Sequence, residues 1–537
     1  MYPRRLKCLL SLFTLAIVSS SACVAAVGQK RVEIQPVQVD GGKVLGVPTA
    51  DQKVLAYKGI PYAAPPVEDL RWRPPQPVPK WKHVMLAKDF GNHCIQSGGY
   101  NDMVFHDPGP SEDCLTLNVW APFGVKLAKK AAGLPVMVWI YGGGFVTGGT
   151  SESRQDGQFL ARRGVVVVSM NYRLGIFGFF AHPELTAESA NHASGNYGLM
   201  DQAAAIAWVR RNIGEFGGDP ANITIFGESA GSMSVSALMA SPVSNGLFAK
   251  AIGESGGALY TSGLPGPAPR EEAEKANAAW AERVFGTSRL FYLRSVKADD
   301  LLKAALAKTT PPVPRFLPDI DGFFLPDTVA HIYAEGSQAH VPLLAGWNAN
   351  ESRPATKPTA ASFTAQAQGC GADAASCLAV YPASTDAEAV RSAGDYAGDE
   401  FIAFSTWSWL EAQTKTGGAP VYRYFFALGS PGDRNHTVSM GAFHSDDIEY
   451  VFGALDSRPE MAIRPADRAL SEQMQEYWTN FAKTGDPNGP GLPKWPKYDG
   501  NSGWQVMRLD ATSEAKPDAL RGRYLFLDSE WGKAAGK

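Results

Sequence analysis

At 537 residues the chain is longer than one compact core usually grows, which predicts either two domains or one core carrying large insertions. With 45% hydrophobic, 19% charged and 11% aromatic residues it is an ordinary globular mixture, neither disordered nor fibrous. The formal charge is −3 with no Lys/Arg run of nucleic-acid type, so nucleic acid is not an expected partner.

The chain opens with Arg4, Arg5 and Lys7, an apolar run from Cys8 to Val18 and then small residues, which reads as a secretory signal over 1–26, cleaved near Ala22 or Ala26. Eleven apolar residues fall short of the roughly 20 that span a bilayer. A lipid-attached N-terminus at Cys23 is the alternative. No later charge-free stretch is long enough to span, so a soluble, secreted or periplasmic protein is expected, with residues 27–537 as a single domain. Among the remaining cysteines, short loops favour Cys94–Cys114 and Cys370–Cys377 as disulfides in an exported chain. Zinc is the competing reading, but neither pair has the spacing or histidine partners of a zinc site, and no metal is expected.

Residues 32–58 alternate around a Gly-Gly pair and predict a hairpin. The runs "LPVMVWI" (134–140) and "GVVVVSM" (164–170) suit strands buried on both faces of a parallel sheet. Leu199, Ala203, Ile206, Val209, Ile213 and Phe216 recur at helical spacing and stop at Gly217-Gly218. A strand at 223–226, a helix through "AGSMSVSALMAS" and a strand near "FAKAI" follow, giving crossover units with helices on both faces. Later strands fall at 341–347 and 421–428, with helical insertions around 270–335 and 353–419. A helix carrying Leu470, Met474, Trp478 and Phe481 precedes a Pro/Gly/Trp-rich tail.

The pattern G-x-S-x-G occurs twice, at Ser229 and Ser255, so by itself it decides nothing. A nucleophile elbow needs a strand, a sharp turn and a helix. Ser229 has both flanks, whereas "GGALYTSGLPGPAPR" after Ser255 cannot continue as a helix and reads as a glycine-rich bend at a strand's end. A serine nucleophile also needs a base, an orienting acid and N–H donors for the oxyanion. The glycines of "WIYGGGFVTGG" suit the donor role, from Gly143 and Gly144 with Ala230 after the elbow; a phosphate cradle is the rival, but the P-loop lysine is missing. Chain order limits the base to His331, His340, His436 or His444, of which His444 follows a late strand. Glu351 stands in a loop after a strand, while Asp319, Asp321 and Asp327 belong to an insertion.

These segments, with "YKGIPYAAPPVEDLRWRPP", "SEDCLTLNVW", "NYRLGIFGF", "GNYGLMDQAAAIAWVRRNI" and "NFAKTGDPN", resemble the type-B carboxylesterase family from about residue 33 to 510. The resemblance implies an α/β-hydrolase fold with a large, mostly parallel twisted sheet, and a serine esterase acting on a small-molecule ester with no cofactor. It implies Ser229 as nucleophile, His444 as base, Glu351 as acid, Gly143, Gly144 and Ala230 as oxyanion donors, and Cys94–Cys114 as the family's first disulfide. An amide or lactone hydrolase, or a non-catalytic protein of this fold, are the alternatives. The family's usual Asp-Glu-Gly at the acid stands here as Asn350-Glu351-Ser352, and its His-Gly as His444-Ser445. The loop 95–113 holds only Tyr100 and Phe105 as aromatics, which argues against a choline ester, and Trp347, Trp407 and Trp409 are candidates to line an acyl or alcohol pocket. Asn222, Asn350 and Asn435 open N-x-S/T sequons, which matter only in a glycosylating host.

Overall fold

The computed structural model describes residues 34–124, 133–259, 267–352, 356–367, 374–432 and 441–534. The expected leader, Cys370, His436 and the sequon at Asn435 lie outside them. Eleven strands form the main sheet: β1 (Val47–Pro48), β2 (Val54–Pro61), β3 (Thr116–Pro122), β4 (Leu134–Ile140), β5 (Val166–Met170), β6 (Gly218–Glu228), β7 (Lys250–Glu254), β8 (Leu343–Asn348), β9 (Val421–Phe426), β10 (Gln505–Leu509) and β11 (Glu514–Pro517). Their spatial order is β11-β10-β9-β8-β7-β6-β4-β5-β3-β2-β1. From β5 through β10 neighbouring strands are parallel, and the antiparallel pairs lie at the two edges.

The apolar runs become central strands because they bury side chains on both faces; every residue of β5, β7 and β8 is buried. The chain leaves β4 to one side for β5 and returns to the other side as β6. The sheet order therefore reverses beside β4, where open α/β sheets place ligand crevices at the carboxyl ends of strands. Parallel register sets Phe226 of β6 beside Trp139 and Gly227 beside Ile140 of β4, bringing the ends of the two strands together.

The helices that matter below are α1 (Tyr197–Asn212), α2 (Ala230–Ala240), α3 (Arg270–Phe285), α4 (Asp386–Gly398), α5 (Phe404–Thr416), α6 (Ile448–Phe452), α7 (Pro465–Thr484) and α8 (Arg521–Ala534). Both expected insertions are helical, and α3, α4 and α5 lie in them. The hairpin expected at the N-terminus is Val37–Val39 against Gly42–Leu45. Two stretches for which the sequence set no expectation also form elements. The motif "SEDCLTLNVW" supplies β3, and the Pro/Gly/Trp-rich tail supplies β10, β11 and α8, which docks through buried Tyr524 and Leu527. Cys94 and Cys114 are bonded, with Cα atoms 5.0 Å apart. Among the described residues no helix is long and apolar enough to cross a membrane.

Candidate active site

Ser229 sits between the last residue of β6 and the first of α2, with φ 56° and ψ −123°. A non-glycine residue rarely occupies that region, which costs on the order of 1–3 kcal/mol and persists only where the surroundings enforce it. The surroundings here are backbone. Ser229 N–H donates to the Glu254 carbonyl at 2.9 Å, and the Ser229 carbonyl accepts from Met233 N–H at 2.9 Å. The flanking glycines of the motif are required by contact: a Cβ on Gly227 would lie 2.6 Å from the Gly231 carbonyl carbon, and one on Gly231 would lie 2.0 Å from the Ile140 oxygen. Strand β6 thus turns into α2 directly against the end of β4.

The glycine run after β4 closes over the same point. A Cβ on Gly142 would stand 2.6 Å from the Glu228 oxygen and 2.9 Å from Ser229 Cβ. Gly143 and Gly144, which follow, take φ values of 108° and 63°, conformations costly for any other residue. Among the described residues the N–H groups of Gly143, Gly144 and Ala230 donate to no loop or side-chain acceptor.

His444 and Glu351 come from loops beyond β9 and β8. The two loops are joined by a parallel bridge between Asn350 and Phe443, in which Asn350 N–H donates to the Ala442 carbonyl at 2.8 Å and Ala442 N–H donates to Asn350 Oδ1 at 3.2 Å. Asn348 Nδ2 donates to the Phe443 carbonyl at 2.7 Å and to Asp447 Oδ1 at 3.2 Å. Behind the histidine loop, Phe452 of α6 meets Trp139 edge-on at a centroid distance of 4.9 Å and stacks with Phe226 at 5.7 Å, which ties it to β4 and β6. The resulting chain is continuous: Ser229 Oγ lies 2.9 Å from His444 Nε2, and His444 Nδ1 lies 2.7 Å from Glu351 Oε2.

The other Glu351 oxygen, Oε1, accepts from Asn348 N–H at 2.6 Å and from the hydroxyl of Ser255 at 2.7 Å. Ser255 is a bend after β7, with φ 51°, yet it is fully buried and holds Glu351. The sequence reading missed this contact, although the second glycine motif marked the spot. His331 and His340 are exposed, the former paired with Asp327 and Glu335 and the latter with the Gly336 carbonyl. Asp319 and Asp321 are buried in their own insertion, where the Asp319 backbone bonds Asn196. Trp347, Trp407 and Trp409 do not line a pocket. They are core: Arg423 lies 4.1 Å over the Trp347 ring, Trp407 stacks on Tyr524, and Trp409 donates to the Tyr333 hydroxyl at 2.8 Å. The aromatic side chain that does meet the histidine is Phe401, which no sequence signal singled out.

Glu228 is buried beside the serine, and its Oε1 lies 3.3 Å from His444 Nε2. Burial raises its carboxyl from 4.5 to about 8, opposed by the imidazole. For His444 burial acts downward, but the charges of Glu228 and Glu351 and the bond to Glu351 outweigh it and carry the imidazole from 6.5 to about 9. Asp447 is held up to about 6 by burial and by Glu351, while Tyr424 donates to it at 2.9 Å. Among the described residues no group of three or more His, Cys, Asp or Glu is placed to hold a metal ion.

The Carboxylesterase family model matches residues 33–525. A fumonisin B1 esterase from Sphingopyxis macrogoltabida is 36% identical over 485 residues, covering 85% of this chain and 83% of that protein. A para-nitrobenzyl esterase from Bacillus subtilis (strain 168) is 36% identical over 514 residues, covering 92% of this chain and 98% of its own. Among solved structures, a thermophilic PNB esterase superposes with a TM-score of 0.76 at 35% identity, over 92% of this chain and all of that one. Sequence, architecture and the surroundings of Ser229 thus agree that this chain belongs to the carboxylesterase family, with the α/β-hydrolase fold, and is a carboxylic ester hydrolase.

Proposed function

We propose that the protein cleaves small-molecule esters through an acyl-enzyme, with Ser229 as nucleophile, His444 as general base and acid, and Glu351 as the carboxylate that orients the imidazole. The observation that carries this reading is the unbroken hydrogen-bond chain at 2.7 and 2.9 Å from Glu351 through His444 to Ser229. The serine hydroxyl gives its proton to Nε2 as Oγ attacks the ester carbonyl. The carbonyl oxygen, now an oxyanion, takes hydrogen bonds from the N–H groups of Gly143, Gly144 and Ala230. His444 then passes the proton to the departing alkoxide as the C–O bond breaks. Water, deprotonated by the same nitrogen, releases the acid and restores the serine. Glu351 accepts from Nδ1 and stabilises the imidazolium, and no step calls on a cofactor or metal.

The chain is further proposed to be exported by residues 1–26 and to act as a single domain over 27–537. The Cys94–Cys114 bond supports an oxidising destination. Treatment with a fluorophosphonate followed by peptide mapping tests the chemistry: one adduct is expected, on Ser229. Absence of labelling, or labelling on Ser255, overturns the assignment. Ser229→Ala should lower kcat on p-nitrophenyl acetate by a factor on the order of 10⁶.

A further inference from the structure

Helices α4 and α5 are not joined by a loop. A single π-helical turn, Asp399–Ala403, connects them and inserts an extra residue into the helical course. Such turns re-aim side chains and occur disproportionately at functional sites. This one is pinned on every side but one. Asp399 accepts from the Tyr381 hydroxyl at 2.7 Å, from the Tyr524 hydroxyl at 3.0 Å and from Arg523 Nη2 at 3.2 Å. Ile402 and Ala403 are buried, and a Cβ on Gly398, just before the turn, would lie 3.4 Å from Glu351 Cβ. The exception is Phe401, 44% exposed, whose ring centroid stands 4.9 Å from that of His444 at an interplanar angle of 70°. Isolated exposed apolar side chains need no explanation. Phe401 differs in being carried on a rigid turn and set against the imidazole that the proposed mechanism uses.

We infer that Phe401 forms the wall of the subsite that receives the alcohol half of the ester, and that this subsite favours aryl-bearing alcohols such as benzylic ones. The inference rests on the catalytic reading given above and follows from where the proton goes. The leaving oxygen takes its proton from His444 Nε2, so it must come within about 2.6–3.2 Å of that atom. The first carbons of the alcohol then lie alongside the imidazole. Glu228 Oε1, 3.3 Å from Nε2 and buried, closes one flank of that nitrogen. Phe401 offers the apolar surface beside the ring. The acyl half departs from the carbonyl carbon in another direction, because the oxyanion donors and Ser229 fix the orientation of the tetrahedral centre. An aromatic ring entering beside Phe401 gains an offset or edge contact in addition to the burial of its own surface.

Two isomeric esters test this cleanly. Benzyl acetate carries the aromatic ring on the alcohol, and methyl phenylacetate carries it on the acid. Phe401→Ala should lower kcat/KM for benzyl acetate about 10-fold more than for methyl phenylacetate, a ratio in the range expected for the loss of one aromatic contact with its buried area. Phe401→Tyr should restore the ratio and Phe401→Leu should give an intermediate value. Active-site titration with the fluorophosphonate counts the competent sites in each variant, so misfolding cannot imitate a selectivity change. Equal losses on both isomers, or a larger loss on methyl phenylacetate, would overturn the inference while leaving the triad intact. Failure of the triad itself registers separately, as full ester hydrolysis by Ser229→Ala.

Discussion

Replacing Glu228 by Gln keeps the shape of the side chain and removes the charge 3.3 Å from His444 Nε2. The imidazole must be neutral to accept the serine proton, so its rise from 6.5 to about 9 places the ascending limb of the activity profile in the alkaline range. Three carboxylates, Glu228, Glu351 and Asp447, raise it against burial, and the last two remain in the variant. A unit charge at this distance amounts to about 5 kcal/mol at an effective dielectric of 20, which sets a ceiling. The full ceiling is not reached, because burial keeps Glu228 itself protonated up to about 8 and the two groups titrate together. The limb should therefore move toward acid by about one pH unit, equivalent to ~1.4 kcal/mol. The assay is kcat/KM for p-nitrophenyl acetate from pH 5 to 10 at constant ionic strength. Below the wild-type limb the variant should retain a larger share of its own plateau. A limb that stays in place, or moves toward alkali, would refute the account of how Glu228 acts on the base.

Two further outcomes follow from the same geometry. Unfolded, Glu228 loses its proton near 4.5, whereas folded it keeps it to about 8, so its contribution to stability is complete below 4.5 and fades as pH rises through about 8. Glu228→Gln should flatten that decline, and thermal melts of both proteins at pH 5 and 9 measure it; an identical slope would contradict it. Ser255→Ala removes one of the two protein donors on Glu351 Oε1, a bond to a charged group worth about 1.5–3 kcal/mol, part of which the Asn348 N–H retains. An approximately 10-fold fall in kcat is expected, far short of the loss from Ser229→Ala. Loss as complete as that of Ser229→Ala would mean that Ser255 itself reacts, and no loss at all would mean that Glu351 needs no second donor.

Local geometry was legible in the sequence where a motif encodes its own contacts. The elbow is such a case, since Gly227 and Gly231 are glycines because each faces backbone at a distance no side chain tolerates. The glycine run at 142–144 is another. Glu351 and His444 are different: they stand 93 residues apart and meet through the contacts of Asn348 and Asn350 with the loop 442–447, so strand order and family resemblance pointed to them where local pattern could not. Aromatic residues misled. Trp347, Trp407 and Trp409 have the composition of a pocket wall, but only three-dimensional packing decides which face of a strand or helix points inward. Phe401 was invisible for the same reason, because a π-helical turn has no periodic signature. The elements of the tail had no signal in its Pro/Gly/Trp-rich sequence because their order comes from partners far upstream, above all the buried pairing of Asp518 with Arg423 of β9.

The bridge between the acid and base loops has a consequence for how the protein is produced. Asn350, whose side-chain oxygen accepts from the Ala442 N–H, is also the first residue of Asn350-Glu351-Ser352, an acceptor sequence for N-glycosylation. A eukaryotic secretory pathway would attach its glycan to the nascent chain, before these loops meet, and the sugar would then occupy the space that Gly441 and Ala442 need. A Cβ on Gly441 would lie 2.0 Å from Asn350 Oδ1, so the amide that would carry the sugar packs closely against that glycine. Yeast or mammalian secretion is thus expected to burden the junction of the Glu351 and His444 loops with a glycan, whereas a bacterial host leaves that junction free to close.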